Sequence, residues 1–299
     1  MQIEACLRPY KNYLRLERGL SANSIEAYLS DVRKLDQYLQ SVSKTTDIKL
    51  IDIYHLKEFI TWISELGMLA SSQARVISSI KSFFSFLVLE QLIIEDPSEV
   101  LDAPRIPRKL PDVLNVEEIN ALIAAVDASK PDGMRNKAML EILYGCGLRV
   151  SELVNLKLSQ IFIEEGFIKV LGKGNKERLV PIGSTALKML MIYLEEVRVQ
   201  VKIIPGYADY AFLSRRGSGL TRVFVFKVIK SLAEKIGLNK AISPHTFRHS
   251  FATHLIEGGA DLRAIQEMLG HSSITTTEIY MHLDRDYLRS VVMQYHPRS

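Results

Sequence analysis

The stretch from Ser243 to His282, SPHTFRHSFATHLIEGGADLRAIQEMLGHSSITTTEIYMH, restricts this chain more than any other. Ser243-Pro244 reads as a helix start, with Ser as N-cap and Pro at the first helical position. His245 and Arg248 then fall in the first turn, three apart on one face. The N-terminal end of a helix carries free N–H groups and a partial positive charge, so it attracts anions. A His and an Arg added there make an oxyanion or phosphate site. Phe251, Leu255 and Ile256 continue the helix toward the core, and Gly258-Gly259 end it. Asp261 opens a second helix carrying Leu262, Ile265, Met268 and Leu269. Gly270 closes that helix and leaves His271 at its C-terminal end. A third short helix carries Tyr280. Four polar groups are thereby held at helix ends or after tight turns, an arrangement that places them around one reacting atom.

The rest of the chain is read relative to this stretch. With 299 residues it is long enough for two domains. No run of about 18 apolar residues suggests a membrane span, and the first residues lack the apolar region of a signal peptide. A cytoplasmic protein is expected. Cys6 and Cys146 lie in apolar surroundings and read as reduced core thiols. The net charge of +4 is weak support for a nucleic-acid partner. A DNA surface must come from local clustering.

Residues 1–95 show only helical periodicity. Stripes run through Ile3, Leu7, Tyr10 and Leu14; Ile25, Leu29, Val32, Leu35 and Leu39; Leu56, Phe59, Ile60 and Ile63; and Ile77, Ile80, Phe84 and Leu87. Four such helices with short loops predict an antiparallel all-α bundle. Residues 96–112 hold four of the ten prolines and read as a semi-rigid linker. Its Arg105, Arg108 and Lys109 are either a solvated strap or contacts to a phosphate backbone.

A second domain is expected over 113–299, mainly α with a small antiparallel sheet. Asn115 with Glu118 predicts a capping box. A Met-, Leu- and Ile-rich helix over 135–144 ends at Gly145-Cys146-Gly147, and Arg149 then starts a new helix. Glu152, one turn on, reads locally as a salt-bridge partner of Arg149. The span 161–181 reads as strands around the turn Gly172-Lys173-Gly174-Asn175. A helix follows over 185–201, then a short strand over 211–213. Arg215, Arg216 and Arg222 cluster near a Gly-Ser-Gly turn, as a solvated basic face or as DNA contacts. The last helix, over 284–296, carries an apolar face of Tyr287, Leu288, Val291, Val292 and Tyr295. It packs on its own domain or docks into a neighbouring protomer.

The pattern His245-x-x-Arg248, then Leu269-Gly270-His271, then Ile279-Tyr280 resembles that of the tyrosine site-specific recombinases of the phage integrase family. Within them it is most similar to the Xer branch and its XerD-like members. The context Gly147-Leu148-Arg149-Val150-Ser151-Glu152-Leu153 is similar to that of the family's first catalytic Arg, with Cys146 where Thr is commoner. Arg8–Gly19 and Leu20–Ser24 resemble the start of its helical, SAM-like core-binding domain, and the expectation is an Xer-type architecture without an arm-binding domain before it. The resemblance implies the two-domain α and α+β tyrosine recombinase fold. It further implies catalysis by Arg149, Lys173, His245, Arg248, His271 and the nucleophile Tyr280, with Glu152 orienting the site and no metal or cofactor. It implies a 3′-phosphotyrosyl link, a Holliday junction, and four protomers on two DNA sites. The partners so implied are double-stranded DNA with a short recombination site, a XerC-like sister recombinase in a homo- or hetero-tetramer, and an FtsK-like DNA translocase. Chromosome-dimer resolution at cell division is the implied task, and the docking of the last helix on a neighbour is favoured.

The chemistry suits these residue types. Two arginine forks can grip the non-bridging oxygens of one phosphodiester. Two histidines can share the charge of a pentavalent phosphorane. A tyrosine phenol, its proton taken by His245, can form a covalent phosphoester that conserves bond energy. Lys173 is the expected proton donor to the leaving sugar oxygen. A zinc hydrolase would use His245 and His249, but no Glu follows the first His, and Arg248 would stand beside the cation. A type IB topoisomerase shares the chemistry without site choice. A binding-only regulator would usually have lost one of the six residues.

Overall fold

The computed structural model describes residues 1–42, 47–105, 112–172, 177–270 and 285–299. The chain divides into two units, Met1–Lys109 and Leu110–Ser299.

In the first unit the apolar stripes become helices α1 (Ile3–Leu16), α2 (Ala22–Val42), α3 (Ile53–Glu65) and α4 (Ala70–Leu89). Each stripe turns inward because a 3.6-residue period puts it on one face. Ile3, Tyr10, Leu14, Val32, Leu35, Phe59, Ile80 and Phe84 are all fully buried. Local chemistry sets the helix starts. Ser21 Oγ accepts from the amide of Ser24 at 3.2 Å and so heads α2, while Asp52 accepts from the amide of His55 at 3.0 Å and heads α3. One buried charge ties two helices together. Asp31 of α2 accepts from Arg75 and Ser79 of α4 and from Lys34. The residues expected to begin a linker instead complete this unit. Lys81 Nζ donates to the Glu99 carbonyl, Ser85 Oγ to Asp96, and Leu101 is buried in the same core.

The second unit is built around α6 (Pro131–Gly145), whose residues from Ala138 to Tyr144 are buried on every side. Packed around it are α5 (Val116–Ala124), α7 (Val150–Val154), α8 (Ser184–Ile192), α9 (Arg222–Lys235), α10 (Pro244–Gly258), α11 (Leu262–Leu269) and α12 (Arg285–Tyr295). Asn115 and Glu118 form the expected capping box over α5, at 2.7 and 2.8 Å. β1 (Ile161–Phe162), β2 (Phe167–Leu171) and β3 (Glu177–Pro181) make an antiparallel sheet in that order. Its register pairs Val170 with Arg178 and Lys169 with Leu179.

Three local expectations are corrected. The helix over 185–201 breaks after Ile192 into a wide π turn, Tyr193–Val197, and a 3₁₀ turn, Arg198–Gln200. There the buried Tyr193 stacks on Phe212 at 5.5 Å, and its hydroxyl accepts from the Leu213 amide. Residues 211–213 form no strand; Leu213 makes a single bridge to Gly219, and the preceding Tyr210 one to Lys157. Ile256 is 49% exposed rather than in the core.

The last helix also differs from the expectation of docking on a neighbour. Leu288, Val291 and Val292 are buried in the core of their own unit, against β3, α10 and α11. The approach is close: a Cβ on Gly258 would lie 2.7 Å from the Tyr295 carbonyl oxygen. Beyond the helix His296 is buried against Tyr144 and Phe251, and Arg298 pairs with Glu141 of α6. An apolar stripe needs cover, and here its own unit provides it. Among the described residues no helix is long and apolar enough to cross a membrane.

Candidate active site

Arg149 is the N-cap of α7, with its backbone extended there. Its amide donates to Glu152 Oε2 at 2.8 Å, and its Nη1 donates to Glu152 Oε1 at 2.9 Å. Glu152 therefore closes the first turn of α7 and grips the arginine one turn back. The local ion pair expected from spacing is present, but it is one part of a larger cluster.

Arg178 reaches the same carboxylate from β3. Its Nη1 and Nη2 donate to the two oxygens of Glu152, each at 2.9 Å, in the bidentate geometry that favours arginine. Its Nε donates to the Met268 carbonyl at 2.7 Å. Arg248 enters from the first turn of α10. Its Nη1 donates to the Gly147 carbonyl at 2.8 Å and lies 3.9 Å from Glu152 Oε2, and its Nη2 donates to the Leu269 carbonyl. Arg149 Nη2 also lies 3.4 Å from the Gly270 carbonyl, at the edge of hydrogen-bond range. The last carbonyls of α11 thus face three arginines. Helix-end carbonyls have no partner within the helix and carry partial negative charge, so cations cap them well.

The start of α10 forms as expected. Pro244 occupies its first position, the Ser243 amide donates to Thr246 Oγ1 at 3.1 Å, and the Thr246 amide returns to the Ser243 carbonyl. Phe247 and Phe251 anchor the helix in the core, which fixes Arg248 inward and leaves His245 and His249 exposed. Gly147 has φ +56°, and a Cβ there would come within 2.4 Å of the Phe251 ring. Only glycine lets this turn pass close enough to Phe251 while presenting its carbonyl to Arg248.

The electrostatics follow from burial. The side chains of Glu152, Arg178 and Arg248 are 4, 9 and 8% exposed, and that of Arg149 is 30% exposed. Burial alone would raise the Glu152 carboxyl. The bonds from Arg178 and Arg149 outweigh it and hold the group below its ordinary value. Burial and the neighbouring Arg149 pull Arg248 down to about 10, against the attraction of Glu152, so it stays charged at neutral pH. Burial, with His245 and Arg248 nearby, lowers His249 as well. Three guanidinium groups share one carboxylate, which leaves positive charge in excess. Arg149, the most exposed of them, is the group best placed to meet an anion.

Of the residues read from the sequence, Arg149, Arg248 and Glu152 come together here, and His245 stands on the same turn as Arg248. Lys173, His271 and Tyr280 lie outside the described residues. Arg105, Arg216 and Arg222 are exposed, and Arg215 pairs with Asp132 at the start of α6. Arg108 and Lys109 lie outside the described residues.

Arg178 escaped the sequence reading. The signal for it is the register. The register of β2 and β3 pairs position 178 with Val170, and directly opposed residues share a face. A buried Val170 therefore turns Arg178 inward.

Comparison with known proteins gives a consistent result. Residues 112–286 match the family model described as Phage integrase family, and residues 7–91 match the Phage integrase, N-terminal SAM-like domain. The chain is 42% identical over 293 residues to the tyrosine recombinase XerD of Staphylococcus epidermidis, covering 98% of this chain and 99% of that protein. It is also 42% identical to the XerD of Listeria monocytogenes, with the same coverage. Among solved structures, the XerH site-specific recombinase bound to its difH substrate is similar with a TM-score of 0.67 and 26% identity, over 83% of this chain and 74% of that one. The XerA recombinase is 31% identical with a TM-score of 0.51, both chains fully covered. The Tn1549 transposon integrase, at 22% identity, shares the fold with a TM-score of 0.72, over 97% of this chain and 98% of that one.

Proposed function

This chain belongs to the phage integrase family and is a site-specific tyrosine recombinase, and from that premise we propose that Arg149 and Arg248, pinned by Glu152, hold the scissile phosphate of DNA. The observation that carries the reading is the cluster itself. A nearly buried carboxylate fixes guanidinium groups from separate elements, with cationic charge in excess and Arg149 partly open to solvent. Arg248 spends two of its N–H groups on the Gly147 and Leu269 carbonyls, which fixes its plane and leaves others for phosphate.

In this reading Tyr280 attacks the phosphorus, the new P–O bond forms, and the bond to the 5′ oxygen breaks. His245, exposed on the first turn of α10, takes the phenolic proton. Lys173, between β2 and β3 in the sequence, gives a proton to the departing 5′ oxygen. His271 donates to the phosphorane. The 3′-phosphotyrosyl link keeps the ester energy, so a 5′ hydroxyl from the partner strand reverses the step and joins the strands without ATP. Arg105, Arg108, Lys109, Arg216 and Arg222 contact the phosphate backbone. Arg215 does so after exchanging Asp132 for DNA. Two such sites, held by four protomers with a XerC-like sister recombinase and engaged by an FtsK-like translocase, resolve chromosome dimers in the cytoplasm at cell division. The reaction needs no metal.

The test is covalent trapping on a nicked suicide substrate with a candidate recombination site, in excess EDTA. The wild-type chain forms a protein–DNA adduct that survives denaturation. Tyr280→Phe binds the same DNA and forms none. An undiminished adduct in Tyr280→Phe, or one that requires added divalent metal, overturns the reading.

A further inference from the structure

We propose that Arg178 is a positioning residue for strand cleavage: it occupies the Glu152 carboxylate so that the Arg149 fork stays turned toward the scissile phosphate. The inference rests on the reading of Arg149 as a phosphate ligand and adds a residue to it. Arg178 bonds both oxygens of Glu152 at 2.9 Å, bidentate through Nη1 and Nη2. Arg149 is left with a single side-chain bond to Oε1 and a long contact to the Gly270 carbonyl. A carboxylate prefers a bidentate arginine when one is in reach. Arg149 is in reach, and Arg178 fills the geometry first. Without Arg178, both Glu152 oxygens are open to the fork of Arg149, which then folds onto its own helix and withdraws from solvent.

A second link runs through the same side chain. Arg178 Nε holds the Met268 carbonyl, three residues before His271 in sequence, and Arg178 itself stands five residues after Lys173. The side chain is 9% exposed, so its bonds are little weakened by solvent. Arg178 spends three N–H groups on protein acceptors, which suits fixing other groups rather than gripping DNA.

The experiment compares Arg178→Met, Arg178→Lys, Arg149→Ala and the wild-type chain on two suicide substrates, one with a normal scissile phosphate and one with a neutral methylphosphonate there. A methylphosphonate carries no negative charge and so depends much less on an arginine fork. Arg178→Met is expected to form adduct about 100-fold more slowly on phosphate, and to recover to within about 10-fold of wild type on methylphosphonate, as Arg149→Ala does. Arg178→Lys, which keeps the charge but not the bidentate pair, is expected in between. The rate ratio is taken within one preparation, so a misfolded fraction cancels. Equal defects of Arg178→Met on both substrates make the residue merely structural and overturn the inference, as does undiminished cleavage. Failure of the wild-type chain to form any adduct overturns instead the reading on which it rests.

Discussion

Glu152→Gln probes the pin of the site most directly. Oε1 accepts from Arg149 Nη1 and Arg178 Nη1, and Oε2 accepts from the Arg149 amide and Arg178 Nη2, all between 2.8 and 2.9 Å. An amide replaces one of these oxygens with NH₂, so in either orientation two of the four bonds become donor-to-donor contacts. The counter-charge to three guanidinium groups is lost as well. Breaking a buried pair by removing one partner costs about 3–5 kcal/mol. For a unit of this size that is a melting-point drop of roughly 6–20 °C. The pH dependence has a defined sign. Glu152 is held below 4.5 in the folded chain, so the unfolded chain binds that proton first as pH falls. Its stabilisation is complete above about 4.5 and is lost as pH falls through the lower folded value. The gap between wild type and Glu152→Gln is therefore wide at pH 7 and narrows in acid. Calorimetric melts from pH 7 to pH 3 measure it. Trp62, the chain's one tryptophan, lies in the first unit, so its fluorescence separates loss of that unit from loss of the second. A variant within about 1 kcal/mol of wild type at pH 7, or a gap that does not narrow in acid, would refute the argument.

Gly147→Ala forces a Cβ onto Phe251 and a side chain into a left-handed backbone, and should cost roughly 2–4 kcal/mol in urea unfolding; a loss under about 1 kcal/mol would show that the turn can shift. Leu288→Ala, in the cis-packed α12, should lower the stability of the single chain by about 2–5 kcal/mol. Unchanged stability with weaker pairing on two-site DNA would mean that the helix belongs to a neighbour in solution. Burial, with His254 and Arg298 nearby, pushes His296 down to about 3. The unfolded chain takes up that proton from about pH 6.5 downward, so stability should fall by about 2 kcal/mol between pH 7 and 5. Comparing urea titrations, His296→Phe should lose that slope, and an unaltered slope would place the titration elsewhere. On a substrate with sulfur at the bridging 5′ position, Lys173→Ala should recover most of its lost cleavage rate and Arg149→Ala should not; equal defects would remove Lys173 as the proton donor.

What the sequence disclosed and what it hid divide along a physical line. Signals contained within one turn or one stripe were legible. These include the starts at Ser243-Pro244 and Asn115, the inward faces of α1 to α4, and the glycine-marked hairpin. Signals that depend on a distant partner were not. Nothing in the residues 185–201 says that the helix must widen at Tyr193, whose partners there, Phe212 and the Leu213 amide, lie elsewhere in the chain. The apolar face of α12 announces that it needs cover but not whose. At the site, Arg149 and Glu152 show their spacing openly. Arg178 could be reached only by carrying the register across the turn, and the α11 carbonyls, being backbone, leave no trace in side-chain type.

The same cluster explains why its parts are arginines drawn from distant segments. One carboxylate cannot neutralise three guanidinium groups, and the C-terminal end of α11 adds only about half a negative charge. More than one unit of positive charge therefore stays uncompensated in a region where Glu152, Arg178 and Arg248 are nearly dry. A phosphodiester brings about one negative charge, and its pentavalent transition state about two. The excess is more than bound DNA neutralises, so positive charge remains to meet what develops in the transition state, and interactions that strengthen there serve catalysis rather than binding. Lysines in these places could shed protons to relieve the excess, whereas arginine keeps its charge, and even Arg248 at about 10 remains cationic at neutral pH. Because α7, β3, α10 and α11 all contribute groups to the cluster, no single element can hold this charge pattern alone. Folding of the second unit and assembly of the site are consequently the same event, so substitutions that loosen the cluster should lower stability and cleavage together.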